Sequence, residues 1–73
     1  MNKDILKGKW TQMKGDVRSK WGKLTDDDYA RIQGDREKLV GILQQRYGRA
    51  KDEISREVDE FLTGYEARHR KVS

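Results

Sequence analysis

The sequence predicts an all-α fold, a small four-helix domain built from two αα-hairpins packed crosswise, and three observations carry that expectation. Apolar residues recur at helical spacing in four separate segments. Proline is absent while seven glycines are present, so glycine alone punctuates the helices. One stretch, Leu24 to Tyr29, holds a complete helix-start signal.

The first helix is read from Leu6, Trp10, Met13, Val17 and Trp21, which line one face. Asn2 is its expected N-cap and Gly22 its expected left-handed C-cap. In the second, Thr25 caps the start, Asp28 completes a Thr-x-x-Asp box and Leu24 staples onto Tyr29. Asp26, Asp27 and Asp28 then sit on the first turn, where the partial positive charge of a helix start favours carboxylates. This helix turns Tyr29 and Ile32 inward and stops near Gly34.

The third helix starts at an Asp35 cap, presents Leu39, Val40, Ile42, Leu43 and Tyr47, and ends at Gly48. The fourth brings Ile54, Val58, Phe61, Leu62 and Tyr65 to one side. Residues 1–67 form the expected single domain, and 68–73, with Arg68, His69, Arg70 and Lys71, a frayed charged tail. An offset of 26 aligns Gly8, Gly15 and Gly22 with Gly34, Gly41 and Gly48. The same offset aligns Met13, Val17 and Trp21 with Leu39, Leu43 and Tyr47, a weak internal repeat that suggests one αα-hairpin per copy.

Size and composition bound the rest. A chain of 73 residues holds one domain and buries only about 60% of its unfolded surface, too little for a deep enclosed active site. Leu, Ile, Val and Phe account for 14 residues and charged residues for 41%, a balance near the compositional edge of disorder. The net charge of only +4 and the ordered apolar stripes favour a folded domain of low stability. Cysteine is absent, which removes disulfides, zinc ribbons and thiol chemistry. No stretch has the length of a signal peptide core or a membrane span, so a cytoplasmic location is expected.

The positive surplus has an address. The first 23 residues hold seven basic and two acidic side chains, the next 25 four and five, and the last 25 six and six. On a helical wheel Lys7, Lys14 and Arg18 border one side of the first apolar stripe, and Lys9 and Lys20 the other. These five are the candidate anion-contacting residues, facing nucleic-acid phosphates or laying the helix onto an anionic membrane surface. The plainer alternative is snorkelling, in which Lys and Arg stems cover the edge of a helix packed on its own domain. Gly8 and Gly15 fall opposite the stripe and each costs the helix ~1 kcal/mol relative to Ala.

Catalytic patterns are missing from the sequence. Ser19, Ser55 and Ser73 lie in no nucleophile-elbow context, and His69 is the sole histidine. The glycines have neither P-loop nor dinucleotide spacing, and the Asp26–Asp28 alternation meets Ala30 where a calcium ligand is needed. Trp10 and Trp21 have the chemistry to stack nucleobases, but their place in the stripe makes them core candidates.

Gly8-Lys9-Trp10, Lys14-Gly15, the run Trp21-Gly22-Lys23-Leu24-Thr25-Asp26-Asp27-Asp28, then Gly34, Leu39-Val40-Gly41 and Arg46-Tyr47-Gly48 together resemble the CsbD-like stress-response family. The likeness runs from Asn2 to about Phe61, and departs from the family pattern at Gly64-Tyr65 and the basic tail. It implies a small cytoplasmic bacterial protein of general stress, folded as an open bundle of two crossed α-hairpins similar to the sterile-alpha-motif arrangement. It supplies no catalytic residue and no cofactor. The expectation is therefore a non-enzymatic protein acting by binding or protection, as a monomer, with no small-molecule substrate and a partner left open. Nucleic acid or an anionic membrane surface are the two alternatives that the basic first helix offers.

Overall fold

The computed structural model describes residues 3–68 as five helices: α1 (Lys3–Gly8), α2 (Trp10–Lys20), α3 (Asp26–Ile32), α4 (Arg36–Tyr47) and α5 (Lys51–Arg68). No strand occurs among the described residues. The all-helical class is thus present, but the expected count of four becomes five because the first helix breaks at Lys9. There the backbone turns to φ −121° and ψ 23°, outside the helical well. The hydrogen-bond ladder is interrupted at the bend: Lys9 N–H donates to the Ile5 carbonyl at 3.0 Å and the Lys9 carbonyl accepts from Gln12 and Met13, while among the described residues neither Trp10 nor Thr11 N–H bonds back to α1. Without a side-chain cap on α2, this carbonyl is what joins the two pieces.

Each later start and stop has a local cause. Thr25 Oγ1 accepts from Asp28 N–H while Asp28 Oδ2 accepts from Thr25 N–H, so the capping box forms as expected. The Asp35 carboxylate accepts from Glu37 and Lys38 N–H and opens α4. Gly48, at φ 64°, closes it in the left-handed conformation. Gly22 does not take that role for α2; Trp21 is the capping residue at φ −121°, and the positive-φ glycines are Gly34 and Gly48. Asn2 and the tail from His69 onward lie outside the described residues.

The core gathers the stripes. Leu6, Met13, Val17, Ile32, Leu39, Leu43, Ile54 and Val58 are wholly buried, with Trp21, Leu24, Leu62 and Tyr65 nearly so. Trp10, Tyr47 and Phe61 pack against it half-buried. Helix α4 sits between α3 and α5, and α1 lies against both α4 and α5. At Gly34 the backbones come closest: a Cβ there would stand 2.8 Å from Lys7 Cα and 3.3 Å from Leu6 O, and φ is +81°. Glycine is required at that position on both counts.

The 26-residue offset reaches further than two copies. Leu6, Ile32 and Val58 are spaced by it and all are wholly buried; Met13, Leu39 and Tyr65 follow the same rule. Helices α2 and α4 begin 26 residues apart. The glycines that stand at the breaks, Gly8 and Gly34, correspond to Glu60 in α5, and α5 runs unbroken for 18 residues. Among the described residues no helix is long and apolar enough to cross a membrane.

Candidate functional site

The basic residues of the first segment do not form one strip. Trp10, Lys14 and Arg18 recur every fourth residue on α2 and so share a face. That face meets α3 and leaves between the two helices an open groove of about 530 Å³, lined by Gly15 and walled by Tyr29. The Trp10 and Tyr29 rings stand 6.2 Å apart at 47°. The Arg18 guanidinium lies 5.6 Å over the Tyr29 ring and 3.4 Å from Asp26, in a pair whose members are 61% and 89% exposed. So exposed a pair is loosely held and screened by salt.

Tyr29 walls the groove with an unusual feature: its hydroxyl is buried and has no hydrogen-bond partner among the described residues. Burial pushes its ionisation up, against the pull of the Arg18 cation. The other basic candidates go elsewhere. Lys7 edges a second depression of about 360 Å³ beside Gly34 and Arg36, which adjoins the first at Gln33. Lys9 is exposed at the bend itself. Lys20 places its ammonium 5.5 Å from the Trp21 ring and helps hold the Glu57 carboxylate down. The structure therefore brings together Lys14 and Arg18, and separates Lys7, Lys9 and Lys20 from them.

Two charged clusters lay beyond sequence reasoning. Asp28, wholly buried, accepts from Arg46 Nε at 2.8 Å and Nη2 at 2.7 Å, from Arg31 at 2.9 Å and from Thr25 N–H at 2.9 Å. The Arg46 fork, aided by Thr25 and Arg31 and opposed by burial, holds its carboxyl far below the usual carboxylate range. At the other end, Glu57 accepts from Trp21 Nε1 at 3.3 Å and from Arg49, which also binds Glu53 at 3.2 Å. Arg49 lowers the Glu57 ionisation. In both clusters every charged group named has an opposite charge within hydrogen-bond reach, and both read as clamps between segments of the chain. The capping box was the one signal that singled out Asp28, and it said nothing of Arg46, 18 residues on.

Trp21 and Trp10 part company as well. Trp21 is 3% exposed and packs edge-on against Phe61 at 5.1 Å, as the core reading expects. Trp10 is half-buried and forms groove wall. Among the described residues no group of three or more His, Asp or Glu is placed to hold a metal ion.

Comparison with known proteins agrees with the run of motifs that spans the chain. A family model described as CsbD-like matches residues 4–56. The UPF0337 protein YjbJ of Escherichia coli K12 is 52% identical over 68 residues, covering 93% of this chain and 99% of that protein. A UPF0337 protein of Bordetella pertussis is 49% identical over 62 residues, covering 85% of this chain and 94% of that protein. The YjbJ protein of Salmonella typhimurium is 51% identical over 63 residues, with 86% and 90% covered. No solved structure matches the chain.

Proposed function

The chain belongs to the CsbD-like family, and from that premise we propose a non-enzymatic general stress-response protein of the cytoplasm that acts, as a single copy, by binding a phosphate-bearing polyanion. The observation that carries the reading is the pairing of Lys14 and Arg18 on one wall of an open groove beside the half-buried Trp10. Phosphate contacts of this kind are electrostatic and largely independent of sequence, which suits a protective binder. The non-enzymatic part is supported by the sequence, in which no serine lies in a nucleophile-elbow context and the glycines have neither P-loop nor dinucleotide spacing. The crossed-hairpin plan, akin to the sterile-alpha-motif arrangement, belongs to the same proposal and is supported by α1 packing against both α4 and α5.

The test is a binding titration with DNA and RNA over a salt series. Affinity should fall about tenfold over roughly a fourfold rise in salt if Lys14 and Arg18 each meet a phosphate, and more steeply if the other three cations also do. It should collapse when Lys7, Lys9, Lys14, Arg18 and Lys20 are changed together to Gln. No affinity at low salt would end the reading. Attachment to anionic membranes through α2 is the second reading, and it fits less well because Met13, Val17 and Trp21 are already spent on the core. Co-sedimentation with acidic vesicles and a blue shift of tryptophan emission would favour it over the first.

A further inference from the structure

We propose that the groove between α2 and α3 seats an unpaired nucleobase against Trp10, so that the preferred polyanion is single-stranded nucleic acid; this rests on the polyanion reading above. The first ground is the exposure of Trp10. Every other large apolar residue of the α1–α2 stripe, namely Leu6, Met13, Val17 and Trp21, is 3% exposed or less, whereas Trp10 is only partly buried where it lines the groove. An indole so placed offers a stacking surface that any base fits, because every base has a π-face.

The second ground is charge placed at a matching interval. Lys14 and Arg18 follow Trp10 by one and two turns, about 6 and 12 Å along the helix. A strand whose base lies on Trp10 runs its backbone past both cations. Asp26 neutralises Arg18 only loosely at 3.4 Å, so a phosphate can displace it. Gly15 is an exposed lining residue of the groove, with nothing within 4 Å of where a Cβ would stand.

The third ground disfavours a duplex. A helix that reads a major groove must protrude. Here α2 packs its backbone on α1 and is tied by side chains alone to α3, through Trp10–Tyr29 and Arg18–Asp26, and to α5, through Tyr65–Gln12 at 3.4 Å and Arg68–Asp16 at 3.9 Å, contacts that a duplex seated on α2 would have to displace. What stays open is a slot between helices, and paired bases present no face to it.

A titration of the full chain with a short oligothymidylate, followed by tryptophan quenching, decides the matter against a duplex of equal length. The single strand should bind about tenfold more tightly than the duplex and quench Trp10. Trp10→Leu should lose roughly tenfold in single-strand affinity and most of the quenching, Trp10→Phe should keep part of the affinity, and Asp26→Asn should strengthen binding. Circular dichroism of each variant separates lost fold from lost contact. Equal affinity for both forms, unchanged in Trp10→Leu yet abolished by the five Gln substitutions, would overturn the base seat and leave polyanion binding standing. Absence of binding to either form would overturn both.

Discussion

A carboxylate removed from water depends on its neighbours, and Asp28 has four donors on two oxygens. Because its folded ionisation lies below the unfolded value, the stability it contributes is present above about pH 4 and drains away as pH falls further. Glu57, lowered by Arg49, acts in the same direction. Asp28→Asn should cost about 2–3 kcal/mol near neutrality, at or below the bottom of the ~3–5 kcal/mol range for a broken buried pair because Arg46 and Arg31 are 38% and 57% exposed. Urea melts at a series of acid pH values should show the wild-type curve falling and the variant's staying flatter. At this scale the sequence disclosed the local half of the arrangement. Thr25 and Asp28 lie three apart and follow a helix-start rule, while the Asp28–Arg46 fork joins two helices and exists only once they pack.

Glycine acts unequally from one helix to the next. Gly34 combines a positive φ with a backbone 2.8 Å from any added Cβ, so Gly34→Ala should destabilise by about 2–4 kcal/mol. Gly41 lies inside α4 with open space around it, and Gly41→Ala should stabilise by up to ~1 kcal/mol. Thermal melts of the two variants should move in opposite directions. Helix existence, the Thr25 and Asp35 starts and the Gly48 stop were legible because each depends on residues within one turn. The bend at Lys9 was not, since Leu6 to Trp21 keeps perfect helical spacing straight through it. Its only trace was Gly8 falling in register with Gly34, where the chain does break between α3 and α4. The candidate groove was half legible: Lys14 and Arg18 were found from the wheel, and Trp10, placed inward by its spacing, does pack against the core, but that it also lines a groove depends on where α3 docks.

The molecule as a whole has a radius of gyration of 11.7 Å and principal extents of 40 × 24 × 19 Å. One cluster of buried residues draws from all five helices, so a change at either end is felt throughout. Urea unfolding followed by tryptophan emission and by helical dichroism should give coincident curves, since Trp10 and Trp21 report on the same core. Separate transitions would mean that α1 and α2 melt apart from the rest. The triplets Leu6–Ile32–Val58 and Met13–Leu39–Tyr65 carry a last implication. Three stretches cut to one template compete for the same berths while the chain collapses, and Glu60, standing where the other two have glycine, marks the third as the stiff one. In crowded refolding mixtures a berth left open on one molecule is as good a fit for its neighbour's stretch, which opens a route to exchanged pairs that dilution closes.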